Sequence, residues 1–254
     1  MQNIESWFEN HVQKFRSSDK GYTQNIELKK DHTFRVCEEI TRLGKSLDLS
    51  MNDLRLAKTI ALLHDVGRFE QYDRYRTFAD YKSEDHAQLG IKVINQENVL
   101  KGIDPSTKRV IICAISYHNR AHLPINESER CLFFAKLLRD ADKLDILYVV
   151  TEYYQNSVQH SNQSLELELP DTPHISDEVY QKLISGKIVS SQHVQSLNDF
   201  KLLQMAWVYD VNFLITYRLI KERKYLEKIR DSFPKSERVK KAFAKVQSYL
   251  DSKA

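Results

Sequence analysis

The sequence is poor in the residues that interrupt regular secondary structure. It has six glycines and five prolines in 254 residues, and glycine at about 2% is far below its usual share of about 7%. Such a shortage of turn-forming residues disfavours folds that are built from many tight hairpins. The glycine-rich phosphate-binding patterns G-x-G-x-x-G and G-x-x-x-x-G-K-[ST] do not occur, which argues against Rossmann and P-loop nucleotide-binding domains.

Cysteine and long apolar runs are also scarce. Three widely spaced cysteines form no CxxC pair, so we expect no disulfide framework and a reducing, cytoplasmic environment. No apolar run approaches 18 residues, and the first 15 residues have helical periodicity instead of a signal-peptide pattern. We therefore expect no membrane partner. The net charge of +3 is too small to argue for nucleic-acid binding.

Apolar residues recur with the helical period along most of the chain. In one predicted helix, for example, Val36, Ile40, Leu43 and Leu47 share a stripe. We predict a single all-α domain over residues 1–254. Its weakest seam is the polar stretch 159–175, where LELEL (165–169) gives a faint strand signal. At most a minor hairpin is expected near 163–170.

Local signals mark the ends of several predicted helices. Ser50-Met-Asn-Asp53 has the pattern of a capping box before the third helix, and Gly67 is expected to end that helix. Residues 66–82 lack periodicity and are rich in arginine and tyrosine. They predict a long functional loop. The other predicted N-caps are Ser83, Asp104 (followed by Pro105) and Ser128.

Histidines and aspartates gather on the apolar faces of successive predicted helices. Five of the nine histidines lie between residues 32 and 122, and one belongs to the His64-Asp65 doublet. A single histidine on an apolar face is more often a structural core residue, but the set is harder to explain in that way. A carboxylate in an apolar setting needs a cation or hydrogen-bond partners. Imidazole nitrogen with carboxylate oxygen suits Fe, Mn, Zn, Co or Ni.

The ordered series His32 … His64-Asp65 … Asp142 closely resembles the HD superfamily of metal-dependent phosphohydrolases, which is named for its His-Asp doublet. The resemblance covers about residues 25–155 and includes H-D-V-G at 64–67, D-H-A-Q-L-G at 85–90 and S-Y-H-N at 116–119. It implies an all-α, HD-domain-like helical bundle with a metal-binding core over about 25–155. Further helices would form a C-terminal extension over about 176–254.

The same resemblance implies a ligand set for one or two divalent transition-metal ions. The ligands implied for a first ion are His32, His64, Asp65 and Asp142, and those for a second are His86 and His118. Periodicity does not decide between Asp140 and Asp142, because each shares a helix face with apolar residues. The family's Ala-Asp-Lys/Arg-Leu phrase matches residues 141–144, which favours Asp142.

The implied activity is hydrolysis of a phosphate ester or anhydride of a nucleotide-like small molecule by metal-activated water. Asp65 is expected to bridge two ions, and Arg68 to neutralise developing phosphate charge, so both are candidate catalytic residues. Basic and aromatic groups close to the ligands are expected to contact the substrate. These groups are Arg68, Tyr72, Tyr75, Lys82, Arg120 and Lys143.

Two other functions stay open at this point. Some HD-domain proteins use a di-iron pair for oxidative cleavage, and the two additional histidines, His86 and His118, resemble that arrangement too. A non-catalytic ligand-sensing HD domain is the other alternative. A homodimer is a further possibility that the sequence does not decide.

Overall fold

The computed structural model describes residues 4–156 and 164–254. Throughout these two ranges the chain forms α-helices and short 3₁₀ turns, with no β-strand, which confirms the predicted all-α fold. The LELEL stretch is not a strand, because residues 164–168 form turns. The part of the expected hairpin and of the predicted seam that precedes residue 164 lies outside the described residues. No helix within the described ranges is both long and apolar enough to cross a membrane.

By its internal contacts the chain divides into two compact units, Met1–Asp142 and Lys143–Ala254. The helices of the first unit are α1 (Ile4–Gln13), α2 (Lys20–Ser46), α3 (Met51–Leu63), α4 (Val66–Tyr75), α5 (His86–Gln96), α6 (Pro105–Tyr117) and the first half of α7 (Glu129–Asn156). Those of the second are the rest of α7, α8 (Asp177–Ile184), α9 (Leu197–Ala206), α10 (Leu214–Glu222), α11 (Tyr225–Asp231) and α12 (Glu237–Lys253). The expectation of a single domain stays a prediction.

Each unit is built from pairs of packed helices. In the first unit, α2 packs on α3, α3 and α5 pack on α6, and α4 packs on α5. The predicted stripe of α2 is part of this core, since Val36, Ile40 and Leu43 are fully buried. In the second unit, α8 packs on α9, and α12 contacts α8, α10 and α11. The first unit is the one that carries the histidine series.

The helix starts of the first unit follow local hydrogen bonding. The N-cap role of Ser50 is confirmed, because its hydroxyl accepts a hydrogen bond from the Asp53 amide at 3.1 Å and donates one to the Asp53 carboxylate at 2.8 Å. Asp104 and Ser128 also cap as predicted. The prediction for α5 is wrong by two residues: Asp85 accepts from the amides of residues 87 and 88. A 3₁₀ turn over Asp80–Lys82 precedes Ser83 and delays the start of the helix.

The segment 66–82 departs furthest from the sequence prediction. It is not one long loop, because Val66–Tyr75 form α4. Gly67 does not end α3 either: that helix stops at Leu63, and Gly67 lies in the first turn of α4. The buried face of α4 includes Gly67 and Gln71. Val66, Phe69 and Tyr72 are also buried on α4 at a spacing of three residues, so an apolar series was present and the prediction of an aperiodic loop missed it.

Gly67 allows the backbones of α4 and α5 to approach closely. A Cβ atom on Gly67 would lie 2.2 Å from the His86 carbonyl oxygen and 2.5 Å from the Gly90 nitrogen. Side-chain carbon atoms do not tolerate such contacts with backbone, so only glycine fits here. The approach places the residue that precedes α4, Asp65, beside the first turn of α5.

We predict that Gly67→Ala destabilises the protein by at least about 2 kcal/mol, because the added methyl group overpacks a backbone–backbone contact. Gly21→Ala is the matched control. Gly21 is also helical, and its Cβ would meet nothing closer than 3.5 Å, so alanine should change stability by less than about 1 kcal/mol. Urea unfolding followed by circular dichroism measures both values. Equal stability of the two variants would contradict the proposed constraint.

Candidate metal centre

Side chains from five helical elements converge in the first unit. His32 comes from α2, His86 from the start of α5, His118 from the end of α6, and Asp142 from α7. His64 and Asp65 occupy the junction between α3 and α4. The four histidines and Asp65 are buried, and Asp142 is partly buried with a side chain 17% exposed. All six candidate ligands from the sequence thus reach one place.

One half of the cluster surrounds the Oδ2 atom of Asp65. His32 Nε2 lies 3.5 Å from this oxygen and 3.2 Å from Asp142 Oδ1. His64 Nε2 lies 3.7 Å and 3.8 Å from the same two oxygens. The structure therefore places Asp142 beside the first histidines. Asp140 is fully buried and is not part of any converging ligand group among the described residues.

The other half surrounds the Oδ1 atom of Asp65. His86 Nε2 lies 3.4 Å and His118 Nε2 lies 3.8 Å from this oxygen, and the two ring nitrogens are 2.9 Å apart. Ligands of one ion with bonds of about 2.0–2.2 Å lie at most roughly 4.4 Å from each other. Asp65 consequently presents one oxygen to each half, as a bridging ligand would.

In three of the histidine rings, a hydrogen bond at Nδ1 defines which ring nitrogen carries the proton. His64 Nδ1 lies 2.7 Å from the Ala61 carbonyl oxygen, and His118 Nδ1 lies 2.7 Å from that of Ile115. Carbonyl oxygen only accepts, so both Nδ1 atoms carry the proton. His86 Nδ1 likewise bonds to an Asp80 carboxylate oxygen at 2.7 Å. In all three rings Nε2 therefore faces the centre of the cluster, and in His64 and His86 it presents a lone pair.

The electrostatics keep these donor atoms ready for a cation. Burial lowers the pKa of His64 to about 4, and burial together with Arg68 lowers that of His86 to about 4. Burial acts to raise the pKa of Asp65, but Lys29 and His64 outweigh it and leave this pKa well below its ordinary value. At neutral pH the cluster thus combines the uncharged imidazoles of His64 and His86 with the ionised carboxylate of Asp65.

This donor set fits a divalent transition metal. His64 Nε2 is buried with no hydrogen-bond partner within the described residues, although it faces two carboxylate oxygens. The His64 lone pair meets a carboxylate oxygen of Asp142 at 3.8 Å, and such a contact is repulsive unless a cation lies between the two atoms. Imidazole nitrogen and carboxylate oxygen are ligands for Mn, Fe, Co, Ni and Zn, which agrees with the expectation from the sequence.

Sequence reasoning missed two residues that complete the centre. Lys29 Nζ lies 3.0 Å from Asp65 Oδ2, and its position one helical turn before His32 was the available signal. Asp80 bonds to His86 Nδ1 and to the Arg68 guanidinium. Asp80 lies in a 3₁₀ turn between helices, where no periodic pattern could have indicated its role.

Arg68 lies beside the centre, but part of its guanidinium is held elsewhere. Its Nε atom is 3.6 Å from Asp65 Oδ1. Its Nη1 atom donates to the Phe78 carbonyl oxygen at 2.6 Å, and to Asp80 and Gln71 at 2.8 Å. The predicted catalytic arginine therefore also supports the carboxylate that orients His86.

The two predicted tyrosines differ in their surroundings. Tyr72 is buried, its ring stacks on Phe78 with centroids 4.7 Å apart, and its hydroxyl accepts from Asn25 at 2.8 Å. Tyr75 is exposed and donates to Glu84 at 3.3 Å. None of these contacts joins either ring to a metal-site residue. Their place in a substrate pocket stays a prediction.

The other predicted substrate residues are spread over different settings. Lys82 and Arg120 are exposed, and the Arg120 guanidinium lies 4.9 Å from the centre of the Tyr117 ring. Lys143 is buried in the second unit and forms an ion pair with Asp210 at 2.7 Å. Substrate contacts by these three residues stay predictions as well.

Comparisons with known proteins agree with the geometry. The HD domain family matches residues 30–147, a segment that contains all six candidate ligands. The Bacillus subtilis (strain 168) protein named "Putative phosphohydrolase YueE" is 29% identical over 116 residues, which are 45% of this chain and 64% of that protein. The match thus spans less than two thirds of the relative's length. No solved structure matches the chain significantly.

We predict that Asp65→Ala lowers the amount of tightly bound Mn²⁺ more than His118→Ala does, because Asp65 offers an oxygen to each half of the centre. Metal content per chain is measured by elemental analysis after reconstitution and desalting. His174→Ala changes an exposed histidine of the second unit and should leave the ratio unchanged. Wild-type metal content in Asp65→Ala would show that the cluster is not the metal site.

Proposed function

We propose that the chain is an HD-domain protein and that it is a metal-dependent phosphohydrolase for a phosphate ester or anhydride of a nucleotide-like small molecule. One observation carries the proposal: a buried carboxylate, Asp65, has two histidines near each oxygen and cationic side chains on both sides. The phosphohydrolase name of the B. subtilis relative supports the same reaction class.

The candidate ligands would form two groups in the proposed reaction, one for each metal ion. His32, His64 and Asp142 would hold one ion with Asp65, and His86 and His118 would hold a second. A divalent ion held there would supply Lewis acidity, which lowers the pKa of bound water towards 7 and polarises a phosphoryl oxygen. The carbonyl oxygens of Ala61 and Ile115 keep their histidines in the ligating tautomer, and such outer partners raise ligand basicity.

Two cations next to the centre would receive the phosphate. Lys29 lies 3.0 Å from one oxygen of Asp65, and the Arg68 Nε atom lies 3.6 Å from the other. Both side chains are largely shielded from water, with exposed fractions of 17% and 15%. Charge–charge interactions are stronger in such surroundings than in bulk water. These cations would therefore stabilise negative charge that develops on phosphoryl oxygens.

The nucleotide-like part of the substrate is supported by aromatic residues that follow the His-Asp doublet. Tyr75 and Tyr81 are exposed, at 44% and 65%, and Lys82 is the next residue. Exposed rings beside a cation suit stacking on a base and contact with phosphate. A small-molecule phosphate partner follows from this activity, whereas a cytoplasmic location and a homodimer stay predictions.

A di-iron oxygenase is the second candidate, because the pair of His86 and His118 next to Asp65 also suits two iron ions. A ligand sensor is the third, and it would keep the same centre without turnover. The hydrolase is favoured by the name of the relative and by the two cations that flank the bridging carboxylate.

We predict that the metal-reconstituted protein releases phosphate or a nucleoside monophosphate from members of a panel of nucleotides and model phosphodiesters. His64→Ala and Asp65→Ala should each abolish this activity, because they remove donor atoms of the centre. Oxygen uptake is measured in parallel with the iron-loaded protein. Hydrolysis that survives both substitutions, or oxygen consumption without hydrolysis, would overturn the proposal.

We predict that Arg68→Ala and Lys29→Met each lower kcat on the order of 10²-fold, the usual effect of losing one electrostatic contact in a transition state. Arg74→Ala, also on α4, and Lys30→Met, next to Lys29, are matched controls. Arg74 pairs with Glu70 and Glu84, and Lys30 with Glu9, so both controls should have wild-type kinetics.

Metal content separates these effects from damage to the centre. We expect Lys29→Met to keep the wild-type metal ratio, since Lys29 is not a ligand. Arg68→Ala should keep it as well, unless loss of the contact with Asp80 releases His86. Unchanged kcat in both variants would contradict a role for these cations in phosphate binding.

A further inference from the structure

A second group of potential ligands lies in the first unit, on helices α6 and α7 and the segment between them. Cys113 belongs to α6, Cys131 to α7, and Glu127 stands two residues before α7. One ligand atom from each residue lies within 4.8 Å of the others. Cys131 is fully buried and the Glu127 side chain is 8% exposed. We propose that these three residues bind a zinc-like divalent cation, separately from the histidine centre.

The orientation of Glu127 supports this site. Its Oε1 atom accepts hydrogen bonds from Arg109 at 2.9 Å and from the Ser128 amide at 2.8 Å. Its Oε2 atom lies 3.4 Å from Cys113 Sγ and 3.2 Å from the Tyr117 hydroxyl. One oxygen is thus anchored, and the other faces the Cys113 thiol and the Tyr117 hydroxyl. Hydrogen bonds that fix the free end of a ligand are a regular feature of metal sites.

The donor set selects a softer cation than the histidine centre does. Zn²⁺ binds thiolate and carboxylate with four ligands in a tetrahedron, so three protein ligands leave one position for water. Binding replaces the two thiol protons, which pass to the solvent. Two thiolates, one carboxylate and Zn²⁺ carry a net charge of −1. The guanidinium of Arg109 balances this charge.

Binding of a cation at this site would stabilise the segment between α6 and α7. Residues 118–128 have no regular structure, and they connect His118 at the end of α6 with the helix that carries Asp142. A cation held by Cys113 and Cys131 would close this connection, as metal ligation does in other small loops. The site would therefore support the positions of two ligands of the centre without taking part in turnover.

Cobalt(II) tests the site directly, because thiolate ligands give it a strong near-ultraviolet charge-transfer band that histidine and carboxylate ligands do not. We expect Co²⁺ added to reduced, chelator-treated protein to produce the band, and Zn²⁺ to remove it. Cys113→Ser should abolish the band, and Glu127→Gln should weaken cobalt affinity at least about tenfold. Cys113 is only partly buried, so its serine variant is expected to fold, which circular dichroism checks.

Two control variants test whether the band arises at these three residues. Cys37→Ser changes a buried thiol outside the group and should keep the band. Asp65→Ala should keep it too, so failure of the proposed phosphohydrolase activity would not affect the result. Absence of the band in the wild-type protein, or its persistence in Cys113→Ser, would overturn the proposal. The number of reactive thiols is measured as well. If two are lost, and a reductant restores them while a chelator does not, the cysteines form a disulfide instead of a metal site.

Discussion

The buried carboxylate of Asp65 is the constraint around which the first unit is organised. An ionised carboxylate that is removed from water costs many kcal/mol unless cations or hydrogen-bond donors surround it. Lys29 and Arg68 supply positive charge on either side, and Lys29 holds the pKa of Asp65 down against the opposing effect of burial. Histidine rings occupy the remaining directions. A purely structural core would have no reason to gather so many acceptors at one point.

Simple backbone geometry aims the histidines at this carboxylate. His64 and His118 each stand directly after the last residue of a helix, and each Nδ1 atom bonds to the carbonyl oxygen three residues earlier. Carbonyl groups at a helix end lack intrahelical partners, so the same bond satisfies the helix and fixes the ring. His86 begins a helix instead and needs a side chain, Asp80, for the same purpose. The Gly67 contact then sets how near α5 approaches.

Sequence patterns predicted those parts of the structure that follow from the order of the His and Asp residues or from local helix-capping signals. The ordered His and Asp series identified all six residues that converge, and caps such as Ser50 and Asp104 gave helix starts correctly. The prediction failed at α4, where the apolar series Val66, Phe69 and Tyr72 shares the buried face with Gly67 and Gln71. The sequence patterns also missed Asp80, whose role depends on three-dimensional proximity to His86 and has no fixed spacing. Lys29 could have been inferred from its spacing to His32.

The arrangement that makes the centre a good metal site also makes it a poor apolar core. The Nε2 atoms of His86 and His118 lie 2.9 Å apart, and the Nε2 lone pair of His64 faces carboxylate oxygens with no donor among the described residues. Without a cation the His64 contacts are repulsive, and the helices that carry these residues are held together by the surrounding apolar packing and by the contacts of Lys29 and Arg68. A bound cation turns the same contacts into attractions, so metal binding and the stability of this unit are linked.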